Sequence, residues 1–191
     1  MRSASAATLR HADPERDAAA CAAIYAPYVT SSAATFEEVV LGAAQFAERI
    51  ATTTRTYPWL VLEDDGRVFA YAYAASHRAR SAYRWTVEVG IYVDAIRHRS
   101  GAGRRLYGAL LDLLRRQNLR LALAGITVPN DASIGLHRAM GFEEVGIFRE
   151  VGWKAGAWRD VAWWQLNLAA GDPERDGPPP EPLGPQRLPG A

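Results

Sequence analysis

His98-Arg99-Ser100-Gly101-Ala102-Gly103 is the stretch that decides the fold, and it lies between a predicted strand ending in Ile91-Tyr92-Val93 and a predicted helix over residues 104–117. Glycines let backbone N–H groups approach a ligand closely, and the N-terminus of a helix favours an anion there. Arg104 and Arg105 add positive charge to that of Arg99. The stretch therefore predicts a pyrophosphate site. A plain glycine turn is the alternative, because a short glycine motif is a weak signal by itself.

The surroundings of the glycine loop exclude two common nucleotide-binding folds. No Gly-Lys-Ser or Gly-Lys-Thr follows the loop, as a Walker loop would require. The loop also lies in the middle of the chain, whereas the loop of a dinucleotide fold follows the first strand.

Hydrophobic periodicity predicts an α/β fold in which helices flank a mixed sheet. Asp13 and Pro14 mark the start of the first helix, and Asp64-Asp65-Gly66 marks a hairpin turn. The helices are expected at about residues 13–25, 43–53, 104–117 and 130–141. The strands are expected at about residues 7–11, 59–63, 67–75, 86–93, 121–127, 142–148 and 160–167.

The chain of 191 residues suits one domain with one core, which we assign to residues 1–170. From residue 171 onward, prolines crowd a stretch that has few apolar residues. Such a segment cannot bury enough surface to fold alone, so residues 171–191 are expected to form a disordered tail. A clasp over a partner subunit is the alternative.

Composition narrows the class of protein. Lysine and arginine number 22 against 21 acidic residues, a net charge of +1, so no electrostatic grip on nucleic acid is expected. Cys21 is the only cysteine, which leaves no internal disulfide and no zinc cluster and fits a cytoplasmic protein. No apolar run reaches the length of a membrane span, and the N-terminus lacks the apolar core of a signal peptide.

Asn130, Ser133 and His137 form a second group of candidate residues. Offsets of three and seven place them on one face of a predicted helix. Asn130 suits the N-cap position, which gives it a structural alternative, and His137 could equally be a core histidine. Two polar neighbours on the same face, close to the glycine loop, make a functional His137 about as well supported as a structural one.

Glu88 is the third candidate. It alternates with Val87 and Val89 in a predicted strand, so its carboxylate faces the side opposite the valines. A carboxylate in a strand that borders a cleft can act as a general base. The alternative is a solvated or ion-paired edge glutamate, and the pattern alone favours that alternative.

These motifs together resemble the GNAT superfamily of acetyltransferases. The resemblance is strongest to phosphinothricin and methionine sulfoximine N-acetyltransferases, and it covers about residues 7–168. Beyond the glycine loop, it rests on Thr35-Phe36, Ala79-Arg80-Ser81-Ala82-Tyr83, Trp85-Thr86-Val87-Glu88, Val128-Pro129-Asn130, Leu136-His137 and Gly156-Ala157-Trp158-Arg159-Asp160-Val161.

The resemblance implies a central sheet that splays apart around acetyl-CoA, with no metal. It implies that the substrate amine attacks the thioester directly, with Glu88 as base and His137 as proton donor or carbonyl polariser. It places the cofactor against Ile91, Tyr92, Val93, Arg99, Ser100, Gly101, Ala102, Gly103, Arg104, Asn130 and Ser133. His98 departs from the Gln or Arg that usually begins the loop, from which we expect at most weaker or pH-dependent binding.

The expected substrate is a small amino-acid-like molecule. Arg78, Arg80 and Tyr83 precede Glu88 and suit a compact carboxylate, and Phe36 would close the apolar side of the pocket. Surface-exposed arginines are the alternative. A protein N-terminal acetyltransferase of the ribosomal-protein type is the second candidate, and a non-catalytic acyl-CoA-binding domain is the third.

The resemblance also implies a homodimer. The aromatic C-terminal strand around Trp158, Trp163 and Trp164 is apolar enough to contribute to its interface.

Overall fold

The computed structural model describes residues 7–170, 177 and 179–188. It shows a seven-stranded mixed sheet with helices on both faces, which is the predicted class of fold. The strands are β1 (Thr8–His11), β2 (Trp59–Asp64), β3 (Arg67–Ser76), β4 (Thr86–Val93), β5 (Leu121–Val128), β6 (Glu143–Lys154) and β7 (Ala157–Asn167). The helices are α1 (Pro14–Thr30), α2 (Ala43–Thr53), α3 (Ala102–Arg116) and α4 (Asp131–Ala139).

The sheet separates at its centre. Its order is β1-β2-β3-β4-β5-β7-β6, and only β4 and β5 run parallel to each other as neighbours. These two strands pair over Thr86–Glu88 and Leu121–Leu123 alone, although both continue further. Beyond Glu88 they diverge, so the expected splay of the central sheet is confirmed.

Two cores cover the two faces of the sheet. Val87 and Val89 of β4 pack in one core with the apolar stripe of α3, and Ile91 packs against it. Tyr92 is partly buried and packs against the opposite core, which α1 and α2 cover. The predicted alternation along β4 is therefore confirmed, and it turns Glu88 toward the face of α1 and α2.

Local capping fixes the helix starts that the sequence indicated. The side chain of Asp13 accepts the N–H groups of Glu15 and Arg16 at 2.9 Å each. The amide oxygen of Asn130 accepts the N–H of Ser133 at 3.1 Å and caps α4. Each cap satisfies backbone donors that have no partner inside the helix.

Two predicted boundaries differ from the structure by five residues or more. We expected α1 to end near Tyr25, but it continues through Pro27 to Thr30, because its last turn buries Val29. We expected the strand after α4 to end at Phe148, but β6 runs to Lys154 and forms a long hairpin with β7. An irregularity between Phe148 and Gly152 interrupts the strand periodicity there.

Part of the segment expected to be a disordered tail lies against the domain. The indole of Trp85 donates to the carbonyl of Pro180 at 2.8 Å, and the carboxylate of Glu181 receives the guanidinium of Arg84 at 2.6 and 2.8 Å. Gln117 exchanges backbone and side-chain hydrogen bonds with Leu183. Residues 171–176, 178 and 189–191 lie outside the described residues. Among the described helices, none is long and apolar enough to cross a membrane.

Candidate active site

A cavity of about 920 Å³ opens where β4 and β5 diverge. Its walls come from both strands, the glycine loop, the start of α3 and one face of α4. The predicted residues that line it are Ile91, Tyr92, Val93, Arg99, Ser100, Gly101, Ala102, Gly103, Arg104, Asn130, Ser133 and His137. The structure thus brings the glycine loop and the polar face of α4 to one site.

The edges of β4 and β5 offer backbone groups to this cavity. Residues 89–93 of β4 face residues 124–127 of β5 across the gap, and no ladder joins them. Unpaired strand edges can accept an extended ligand as an added strand. At the far end, the hydroxyl of Tyr28 donates to the carbonyl of Val93 at 2.7 Å and limits the free edge. The sequence reasoning missed Tyr28, because nothing near it in the chain marks it.

The glycine loop turns sharply into α3. Gly101 is the N-cap with φ of 83°, a conformation that glycine adopts without the strain of a side chain. No side chain caps this helix, so its first N–H groups are available to a ligand. Gly103 instead allows close packing of α3 on α4, since a Cβ there would come within 2.9 Å of Leu136. The loop therefore suits close backbone approach by an anion.

Arginines and a histidine surround the loop. Arg99 and Arg104 are exposed at the cavity wall, where their charge is available to a phosphate. Arg97 also lines the cavity, but it forms an ion pair with Asp64. The Nε2 of His98 lies 3.2 Å from the hydroxyl of Tyr28. His98 therefore occupies the junction of α1 and the loop.

His137 is buried and has both ring nitrogens engaged. Its Nδ1 lies 2.8 Å from the carbonyl of Ser133, which can only accept, so Nδ1 carries the proton. Its Nε2 then accepts from the hydroxyl of Tyr107 at 3.0 Å. Burial lowers the pKa of His137, which favours this neutral form. Sequence reasoning missed Tyr107, which resembles any other apolar-stripe residue of α3.

Glu88 is the last residue of β4 that pairs with β5. Its side chain is 40% exposed, and its Oε1 lies 2.7 Å from the Nδ1 of His77. The cavity wall begins one residue later, at Val89. The carboxylate is therefore placed at the inner end of the gap but on the opposite side of the sheet from α3.

None of the four predicted substrate residues lines the cavity. Arg78 and Arg80 are exposed in the connection between β3 and β4. Tyr83 packs edge-to-face on His77, with ring centroids 5.6 Å apart. Phe36 contacts Gly152 of β6 so closely that a Cβ there would lie 2.3 Å from its ring. The structure therefore gathers Tyr83 and His77 beside Glu88, and it anchors Phe36 on β6.

Comparison with known proteins identifies the family. Residues 11–163 match the family described as "Acetyltransferase (GNAT) domain". The chain belongs to this GNAT family. It is 36% identical to the phosphinothricin N-acetyltransferase of Streptomyces viridochromogenes, over 83% of this chain and 87% of that one. It is 39% identical to the L-methionine sulfoximine/L-methionine sulfone acetyltransferase of Pseudomonas aeruginosa, over 82% and 90% of the two chains.

A solved GNAT structure agrees. The phosphinothricin acetyltransferase of Sinorhizobium meliloti, in complex with acetyl-CoA, superposes with a TM-score of 0.81 and is 38% identical. The match covers 85% of this chain and 88% of that chain. This GNAT protein is an acetyltransferase that uses acetyl-CoA. Its cavity fits that molecule, because unpaired strand edges suit amide groups and the glycine loop with its arginines suits a pyrophosphate.

Among the described residues, no group of three or more His, Cys, Asp or Glu side chains is placed to hold a metal ion.

Proposed function

We propose that this acetyltransferase acetylates the amino group of a small amino-acid analogue such as phosphinothricin or methionine sulfoximine. Relatives named for these two activities match more than four-fifths of the chain. The observation that carries the proposal is the placement of Glu88 at the point where β4 and β5 separate. A base at the inner end of the acetyl-CoA gap stands where an incoming amine has to lose its proton.

Glu88 acts as the general base. Acetyl-CoA supplies an acetyl thioester. As the amine nitrogen attacks and bonds to its carbonyl carbon, the carbon–sulfur bond breaks, and coenzyme A leaves as a thiolate that takes up a proton from solvent. An ammonium ion has no lone pair for that attack, so a carboxylate must first accept its proton, either directly or through one water molecule. The 40% exposure of Glu88 leaves its carboxylate accessible from the substrate side.

His137 has a different role from the one that the resemblance implied. In its neutral form, its one N–H donates to the carbonyl of Ser133, and its other nitrogen accepts from Tyr107. No ring proton is left for a ligand in this arrangement. We therefore propose that His137 holds the hydroxyl of Tyr107 at the cavity wall.

The connection between β3 and β4 supplies substrate recognition. The guanidinium groups of Arg78 and Arg80 form no ion pair within the described part of the chain. Two such groups can bind a carboxylate through paired, charge-assisted hydrogen bonds, and the hydroxyl of Tyr83 adds a further donor. Phe36, held by β6, forms the apolar side of the pocket.

We also propose that the enzyme is a homodimer. β6 is an edge strand of the sheet, and Val145, Phe148, Val151 and Trp153 on it are all exposed, as is Trp158 of β7. Such an apolar edge is favoured as a contact between protein chains. Trp164, which we expected to contribute, is instead buried in the core, because it points from β7 toward the α3 face.

The experiment that tests Glu88 is the substitution Glu88→Gln. It preserves the shape of the side chain and removes its basicity, so kcat should fall by about 100-fold or more. Acetyl-CoA affinity, measured by calorimetry, should stay close to that of the wild type, because Glu88 does not line the cavity. Turnover at the wild-type rate at neutral pH would show that Glu88 is structural.

A further inference from the structure

A histidine outside the predicted site is bonded directly to the proposed base. The Nδ1 of His77 lies 2.7 Å from Oε1 of Glu88. An ionised carboxylate only accepts hydrogen bonds, so the proton of this bond belongs to Nδ1. His77 begins the connection after β3, while Glu88 lies inside β4, so the bond joins the substrate-binding segment to the strand that carries the base.

The surroundings of His77 hold its ring in place. The side chain is 14% exposed, against 40% for that of Glu88. Its ring lies edge-to-face with Tyr83, at 5.6 Å between centroids, and with Trp163 of β7, at 6.3 Å. Trp163 is itself in contact with Phe148 of β6, at 5.8 Å. Two rings from separate segments of the chain, with Phe148 behind one of them, thus define the direction of the Nδ1–H group.

We propose that His77 is a positioning residue for the general base, a statement that rests on the proposed role of Glu88. A half-exposed glutamate has three rotatable side-chain bonds and several accessible rotamers. The Nδ1–H of His77 selects the rotamer in which one carboxylate oxygen is occupied and the other faces the incoming amine. This is pre-organisation of the base before the substrate arrives.

The same contact ties the base to substrate recognition. Tyr83 belongs to the proposed carboxylate-binding segment and also packs on the ring of His77. A substrate carboxylate held by that segment is therefore aligned relative to Glu88 through one imidazole. His77 acts through Glu88 rather than on the substrate, so its loss should appear in kcat and should leave the KM for acetyl-CoA unchanged.

The test compares two polar replacements of similar character. In His77→Asn, the side-chain amide N–H takes the place of Nδ1–H, whereas in His77→Gln it takes the place of the distal Nε2. We expect His77→Gln to lower kcat by about 10-fold and His77→Asn to retain kcat within about threefold of wild type. Ser76→Ala, one residue earlier in the chain, removes a hydroxyl bonded to the carbonyl of Arg78 and serves as the control for disturbance of the connection.

A double-substitution cycle with Glu88→Gln separates this proposal from the proposed function. If His77 acts through the carboxylate, His77→Gln causes no further loss of kcat in the Glu88→Gln background. An equal loss in both backgrounds would overturn the proposal, as would equal rates for His77→Asn and His77→Gln. If His77→Gln retains the wild-type kcat while Glu88→Gln is impaired, the proposed role of His77 is refuted and the proposed role of Glu88 stands. Unimpaired Glu88→Gln would instead refute the proposed role of the base, and with it this inference.

Discussion

Arg80 offers a residue-scale test of substrate recognition because a matched arginine lies four positions away. Arg84 is in the same connection, but it is bonded to Glu181 and stacked on Trp85 at 3.6 Å. Arg80→Ala should raise the KM for a carboxylate-bearing substrate by about 10-fold, the scale of a lost charged hydrogen bond. Steady-state kinetics should show an Arg84→Ala control with KM within about twofold of wild type. Equal rises in both variants would mean that general positive charge, rather than Arg80, attracts the substrate.

Some site residues could be predicted from the sequence and others could not. Gly101 and Asn130 stand in local patterns, a loop before a helix and an N-cap, whose physics is contained in a few neighbouring residues. Tyr28, Tyr107 and His77 gain their place only through partners 65, 30 and 11 positions away. No local pattern marks such contacts. The neutral state of His137, with a hydrogen bond at each ring nitrogen, likewise could not be predicted without knowledge of its partners.

At the scale of elements, the β6–β7 hairpin carries the proposed dimer. Val151 and Trp153 of β6 are 49% and 54% exposed. Light scattering should give twice the chain mass of 20.9 kDa for the wild type. Trp153→Glu should shift the protein toward the single-chain mass, because a charge buried without a partner is costly. Val39→Glu, at a 73% exposed valine in the loop before α2, is the control that should stay dimeric. A wild type with the mass of one chain at high concentration would contradict the dimer.

Elements whose hydrophobic residues repeat regularly were predicted well, and elements in which that repeat is interrupted were not. The alternation of β4 and the apolar stripe of α3 follow directly from one buried face each. The alternation of β6 is interrupted where Glu150 adopts a φ of 50°, so the strand pattern in the sequence ends at Phe148 although the strand continues. The apolar residues of β6 also do not alternate so as to mark one buried face, because neither face of this strand packs against a core in the single chain.

At the scale of the whole molecule, two histidines make stability depend on pH. Burial lowers the pKa of His11 and of His137 below the ordinary value of 6.5. The unfolded chain therefore binds more protons than the folded one as the pH falls below about 6.5, and stability declines in that direction. The midpoint of urea unfolding should fall between pH 7 and pH 5, and His137→Gln should weaken this dependence. A midpoint that is constant or rises toward pH 5 would contradict the assigned neutral state.

The separation of β4 and β5 is a property of the whole fold and not of any local stretch of sequence. Residues alone predicted a mixed sheet and an anion-binding loop, and only the family resemblance predicted that β4 and β5 separate. The separation depends on the register of two strands more than 30 positions apart. Single-sequence patterns contain no such register. Once the separation exists, the glycine loop, the α4 face and Glu88 lie along one gap.

The most direct test of the central claim is an assay of thiol release from acetyl-CoA across a panel of amines. The panel holds methionine sulfoximine, phosphinothricin, ordinary amino acids and peptides with free N-termini. Acetylation of a small amino-acid analogue at the highest kcat/KM, with peptides far slower, is the predicted result. Turnover of peptide N-termini without turnover of the two analogues would contradict the account and favour a protein N-terminal acetyltransferase.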